Sequence, residues 1–330
     1  MADLHSWASE RAPELLARAE AEAVAVLRDA LVEAATGRGQ AQPKPKPKPE
    51  RKPASRNEPA QGELVWAYCV VPADARPPRG VAGVDPRFPV DRVEAAGLAV
   101  LVSRVPAAEF GAESLRENLN DIGWLERVAR AHEAVLDQVM PETTLVPLRI
   151  CTLYEDAQGA RRMLEKERTV LTKALESVAG RQEWGLKLLV DPERLLAHAR
   201  DSSSEATSMA AEVEGATEAG AYMLRRRLER HLREMADSIA EGLILDVRDR
   251  VESLGFEYVT RPPQNRELSQ HEGEMLMNVA CLVEEGGLDH LRDLATGVGQ
   301  DYQSLGARVE MTGPWPPYNF VLGGDAATLA

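Results

Sequence analysis

The sequence predicts an α+β fold in two domains, the second a ferredoxin-like β-α-β-β-α-β unit, preceded by a helix and a Pro/Lys-rich linker. Three observations carry this. Short runs rich in β-branched and aromatic residues alternate irregularly with longer stretches whose apolar residues recur every three or four positions. Residues 184–312 hold six elements in the order strand, helix, strand, strand, helix, strand, which is the split ferredoxin-like arrangement. With 330 residues and 44% hydrophobic content, the chain can bury two cores and still carry extensions.

The extensions come first. Residues 13–35 are rich in Ala, Glu and Arg, with Pro13 at a favourable helix start and Gly37 past the end, so residues 1–40 are expected to hold an amphipathic helix. Its apolar stripe, which includes Leu16 and Leu27, is poor in large side chains. Such a helix either docks on a partner, as a tether to another protein, or forms only transiently as a tail. Residues 41–62 shift to a Pro/Lys run that reads as an extended, polyproline-like spacer. Its cations, Lys44 to Lys52, offer the alternative of touching an acidic surface.

Residues 63–180 form the first predicted domain. Residues 64–71 are β-rich and end at Pro72, predicting a strand, and residues 90–95 and 98–105 flank Gly97 as a hairpin. Asp121 is placed to cap a helix in which Ile122, Leu125, Ala129, His132, Leu136 and Val139 share one face, with Pro141 as the stop. His132 therefore points inward. Residues 144–152 read as a strand whose Pro147 marks an edge or a bulge. Residues 155–179 read as one long charged helix.

Residues 181–330 form the second. Leu186, Leu188 and Val190 alternate in a short strand bounded by Asp191 and Pro192, and the polar residues from Asp201 onward read as a loop. Leu224, Leu228, Leu232, Met235, Ile239, Leu243, Val247 and Val251 mark one face of a long helix. Residues 256–260 are a strand, and residues 275–283 (MLMNVACLV) are apolar at nearly every position, as the centre of a sheet covered on both faces requires. A helix over residues 288–302 and a strand over 307–312 complete the unit. In this topology the first and third strands lie in the middle, and they are the two most apolar. Residues 312–320 (TGPWPPYNF) then carry three prolines, which remove donors and hold their neighbours extended. This run is expected to be a rigid extended arm, neither helix nor central strand, that clasps its own sheet edge. The alternative is that its rings dock a partner.

Composition and motifs exclude much chemistry. A net charge of −14 disfavours non-specific binding to nucleic acid or anionic lipid. The central strand also lacks the aromatics on which RNA-binding sheets stack bases. No apolar run approaches membrane-spanning length, and the first residues lack a signal peptide's basic start and apolar centre, so a cytoplasmic protein is expected. Cys69, Cys151 and Cys281 are odd in number and far apart, and read as buried thiols. There is no phosphate loop, dinucleotide fingerprint, nucleophile elbow or paired-cysteine metal site, and no cofactor is expected. His271-Glu272-Gly273-Glu274 lacks a second His one turn away, and Gly273 favours a turn. His132 reads as a hydrogen-bonded core residue against the alternative of a general base. Arg149, within an apolar run, reads as an internal salt-bridge partner against the alternative of an anion site.

These residues resemble a family. The stretch Thr312-Gly313-Pro314-Trp315-Pro316-Pro317-Tyr318-Asn319-Phe320 is similar to the closing motif of the gas vesicle protein F/L (GvpF/GvpL) family. His132 followed by Val146-Pro147-Leu148-Arg149 resembles its central His and "PLRF" run, and Trp184-Gly185-Leu186-Lys187 its "WGVK" strand. Gly220-Ala221-Tyr222-Met223 resembles its "G..YL" helix start, and Asn278-Val279-Ala280-Cys281-Leu282-Val283 its "NVAYLV" strand. Ile150, Cys151 and Cys281 depart from the pattern, and the chain before residue 60 lies outside it. The resemblance implies two α+β domains, the second a modified ferredoxin-like fold. It also implies a non-enzymatic, minor component of gas vesicles, with the small hydrophobic shell protein (gas vesicle protein A) and other accessory proteins as partners. It supplies no catalytic residues. An enzyme or metabolite-binding protein using His132 and Arg149 in an inter-domain cleft is the reading that competes with it.

Overall fold

The computed structural model describes residues 62–76, 78–261 and 273–321. The expected N-terminal helix, the Pro/Lys spacer, His271 and Glu272 lie outside them. The chain divides into two compact units. One runs to Ala179 and takes in the chain again from Pro316; the other is Gly180–Trp315.

The first unit is built on β1 (Glu63–Pro72), β2 (Asp91–Ala95), β3 (Leu98–Pro106), β4 (Val146–Pro147) and β5 (Leu153–Tyr154). The order is β2-β3-β1-β4, all antiparallel, with β5 also on β1. The predicted hairpin turns at Ala96 and Gly97, both at positive φ, as a two-residue connection between twisted strands requires. Side chains alternate along a strand, yet β1 is buried at every position from Val65 to Val71, so both its faces are covered.

Two short helices, α1 (Ala107–Phe110) and α2 (Ala112–Asn118), lead into α3 (Ile122–Val139). Asp121 caps α3 as expected, its carboxylate accepting from the N–H groups of Gly123 and Trp124. Val128, Val135, Leu136 and Val139 then meet Trp66, Tyr68 and Phe110 in the core.

Three expectations for this unit are corrected. The strand over residues 144–152 shrinks to β4 at the sheet edge that Pro147 suggested, with β5 only beyond it, because the chain turns through Arg149 to Cys151, the latter at φ +66. Arg149 is only half-buried in that turn, and it forms no ion pair among the described residues, where an internal salt bridge was expected. The long helix over 155–179 is α4 (Ala157–Lys166) and α5 (Arg168–Val178), broken at Glu167 (φ −96, ψ 11). The break lets Leu164 and then Leu171, Leu175 and Val178 each reach buried positions, with α4 against β2 and β3 and α5 against β1 and β4.

The second unit has β6 (Arg181–Val190), β7 (Glu257–Arg261), β8 (Glu274–Glu284) and β9 (Arg308–Trp315) in the order β7-β8-β6-β9, all antiparallel. This is the predicted ferredoxin-like order, with the two most apolar strands in the middle. Gly273, at φ +120, turns the chain into β8.

The polar stretch from Asp201 is not a loop. It belongs to α6 (Pro192–Ser202) and α7 (Ser204–Gly215), with Asp191 capping the first and Ser203 the second. The long helix is α8 (Glu218–Ser253), and α9 (Leu288–Asp301) follows β8. Ala236, Leu243, Val247 and Val251 of α8 join Leu291 and Val298 of α9 over β6 and β8, while Leu228 and Leu232 nearer its start make a smaller cluster with Ala206 and Met209 of α7.

The proline arm is corrected as well. Thr312 to Trp315 form the end of edge strand β9, Pro316 and Pro317 are buried, and Tyr318 begins a four-residue helix, α10 (Tyr318–Val321). From Pro316 the arm belongs to the first unit rather than lying over the edge of its own sheet. The physical reason is burial: Tyr318 and Val321 are 5% and 4% exposed, and Tyr318 is part of the first unit's core.

Candidate functional site

Most of the residues singled out by sequence collect in two places. The first is the core between α3 and β1. His132 is fully buried, and its Nδ1 accepts from the Trp66 indole Nε1 at 3.1 Å. The Tyr68 ring lies 5.3 Å from the imidazole, centroid to centroid. The Tyr68 hydroxyl bonds Ser103 Oγ at 2.6 Å and accepts from the Val84 N–H at 2.7 Å. Burial pushes that phenol up to about 12. One residue after His132, Glu133 is 4% exposed and accepts from the Tyr318 hydroxyl at 2.9 Å. Pro147 pairs with Cys69, and Leu148 N–H donates to Tyr68 O at 2.8 Å, which ties the "PLR" run to the same strand.

The second is the β6–β9 seam. Gly185 faces Thr312, and a Cβ on Gly185 would stand 2.6 Å from Thr312 Oγ1. That hydroxyl accepts from the Trp315 indole at 3.2 Å. Gly313, at φ +133, places its α-carbon where a Cβ would stand 3.0 Å from Glu183 O and 3.1 Å from the Trp184 ring. The bond from Gly313 to Pro314 is cis. The "WG" and "TGPW" runs, far apart in sequence, thus form one close-packed seam, with Asn278 half-buried on the neighbouring strand β8. Phe320 is half-buried on α10.

Tyr222 behaves differently. It is 58% exposed on α8 and Met223 beside it 69%, whereas the other residues of the resemblance are buried or half-buried.

A general base must come within hydrogen-bond reach of its substrate, and His132 is enclosed by aromatic rings. His132 and Arg149 are not both drawn into any described depression. One of about 530 Å³ is lined by Gly123, Glu126, Arg127, Arg130 and Ala131, and one of about 230 Å³ by Arg250, Ser253, Leu254, His290, Asp293 and Leu294. Among the described residues no group of three or more His, Cys, Asp or Glu is placed to hold a metal ion. Cys69 and Cys281 are fully buried and Cys151 half-buried in its turn; burial pushes the Cys151 and Cys281 thiols up to about 12 and raises Cys69 further. A hydrogen bond from the exposed Arg87 holds the carboxyl of the buried Asp85 below its ordinary range. No helix among the described residues is long and apolar enough to cross a membrane.

Sequence reasoning missed Tyr68, Ser103 and Glu133 as polar partners in the core, since nothing local marks them. Tyr222 and Met223 entered only through the resemblance of Gly220 to Met223 to the family's helix start, and their exposure was not foreseen, although the run Arg225-Arg226-Arg227 beside them in an acidic chain was a visible signal.

Residues 64–322 match the family model described as gas vesicle synthesis protein GvpL/GvpF. The chain belongs to the GvpL/GvpF family. Gas vesicle protein L of Streptomyces sp. (strain CB03234) is 32% identical over 268 residues, covering 78% of this chain and 92% of that protein. Gas vesicle protein L1 of Halobacterium salinarum is 26% identical over 271 residues, covering 77% and 89%. The crystal structure of gas vesicle protein GvpF from Anabaena sp. PCC7120 superposes with a TM-score of 0.60 at 19% identity, covering 78% of this chain and 98% of that one. GvpF from Microcystis aeruginosa gives 0.50 at the same identity and coverage. At that identity the two structures establish the fold. The GvpL/GvpF match leaves residues 1–63 outside it.

Proposed function

We propose that this GvpL/GvpF protein is a minor, non-enzymatic accessory component of gas vesicle nucleation and assembly, acting by binding the small hydrophobic shell protein, gas vesicle protein A, and limiting its aggregation. The observation that carries the reading is the family match over residues 64–322. A shell subunit exposes apolar surface until it is assembled, and a carrier of net charge −14 can shield that surface while keeping the complex dispersed. In this reading the His132 core and the Trp184/Trp315 seam are framework rather than contact surface, and the protein works at the gas vesicle in the cytoplasm beside other accessory proteins. Coexpression of the tagged chain with gas vesicle protein A tests it. The expected result is that the shell protein moves from the pellet to the soluble fraction and copurifies with the tag. A shell protein that pellets equally with and without the chain, and does not copurify, overturns the proposal.

A further inference from the structure

The start of α8 carries a surface that the fold does not use. Tyr222 and Met223 stand out from the helix, and Arg226, Arg227, Arg230 and Arg233 follow at exposed positions. At 3.6 residues per turn, Tyr222, Met223, Arg226, Arg230 and Arg233 share a stripe about 100° wide. It lies away from Leu228 and Leu232, which pack on α7.

The positive charge on this stripe is concentrated, with Glu234 and Asp237 following it on the helix. Residues 222–233 hold five arginines and one glutamate, in a chain of net charge −14. Elsewhere on helices, Arg130, Arg248 and Arg250 each hold a carboxylate. Among the described residues the arginines of this stripe hold none; Arg226 instead lies 5.8 Å from the Tyr222 ring centroid, with its Nε 3.4 Å from the hydroxyl.

We propose that this face of α8 docks an acidic amphipathic helix of another polypeptide, its carboxylates on the guanidiniums and its apolar side chains on Tyr222 and Met223. Charge complementarity selects an acidic partner. The exposed Tyr and Met select an apolar stripe within it, because aromatic, Met and Arg side chains are the ones that anchor interfaces. A single helix is about 10 Å wide, close to the Debye length of about 8 Å at physiological salt, so it meets the basic stripe without facing the acidic remainder of the chain. A nucleic-acid duplex or a lipid surface is a broader polyanion and would face both. The inference does not depend on the shell-protein reading.

The test uses the full chain and a fluorescein-labelled synthetic peptide of about 18 residues, long enough to form helix, with Leu at every third or fourth position and Glu at most others. Fluorescence anisotropy should show this peptide binding and its Lys-for-Glu counterpart not binding. The Arg226→Glu, Arg230→Glu double variant should weaken binding by about tenfold or more, and the Tyr222→Ala, Met223→Ala double variant by about threefold or more. Arg162→Glu, an exposed change on α4, should leave it unchanged. All five replaced residues are exposed, so thermal melting should match the parent in each variant. Failure of the Glu peptide to bind at about 100 µM, a concentration that detects even weak association, overturns the proposal. So does binding that survives the charge reversal. An oligo-dT strand or phosphatidylserine vesicles binding more tightly than the peptide, and losing it in the same variant, would assign the stripe to a polyanion instead.

Discussion

An indole N–H can only donate, so the Trp66 contact makes His132 Nδ1 an acceptor and leaves the ring proton of a neutral imidazole on Nε2. A neighbour 66 residues away in sequence thus sets the state of this side chain. Its inward direction was legible, because His132 falls on the same helical stripe as Ala129 and Leu136; its partner was not, since helical spacing says nothing about which strand lies beneath. Tyr318 and Glu133 make the same point over a longer separation. Tyr318→Phe removes a buried donor from a carboxylate while keeping the ring, and should lower the stability of the first unit by about 1.5–3 kcal/mol, the range for hydrogen bonds to charged groups. Urea denaturation of the full chain checks this, and an unchanged midpoint would mean the bond contributes nothing. Arg149 shows the opposite failure. The apolar run around it suggested a strand and hence a buried guanidinium, but the turn ending at Cys151 leaves the side chain half in water, where it needs no partner.

At the scale of elements, strands and caps were read more reliably than helix ends. β1 and the β2–β3 hairpin were visible because β-rich runs ended at proline or flanked glycine, β6 because Leu186, Leu188 and Val190 alternate before Asp191 and Pro192, and β8 because residues 275–283 are apolar at nearly every position. The stretch from Asp201 was misread because Ser and Asp favour loops and helix caps alike. Here Ser203 is the hinge between two helices, its Oγ accepting from the Ala206 N–H at 3.0 Å and lying 3.4 Å from His231 Nε2 on α8. Few large apolar residues mark α7, where Ala206 and Met209 are the buried pair, so its periodicity is faint. Ser203→Ala should destabilise the α7–α8 pair by about 0.5–2 kcal/mol, the usual cost of a lost N-cap. Hydrogen exchange would show it as faster exchange of α7 amides, with the sheet amides unaffected. Asn at the same position should restore protection, since its side chain can also cap.

At the scale of the whole molecule, the fold class followed from the order of elements, because few topologies accommodate strand-helix-strand-strand-helix-strand and burial then chose the central pair. The arm's destination did not follow. Proline chemistry makes residues 312–317 stiff, but no local signal says that the chain beyond them rejoins the first unit. A chain truncated after Trp315 would lose Tyr318, Val321 and the bond to Glu133 from the first unit while keeping β9 in the second. The expected loss is about 3–6 kcal/mol, a large part of the 5–15 kcal/mol or so that holds a domain together. Hydrogen exchange should therefore show β1 and α3 opening at lower denaturant than β6 and β8, and uniform loss in both units would contradict this division. The interleaving also bears on biosynthesis. The first unit emerges first from the ribosome but is closed by almost the last described residues, and the second needs β9, which ends at Trp315. Any product that stops short within the second unit leaves both unfinished, so neither core closes until synthesis has carried the chain through the whole of the second unit.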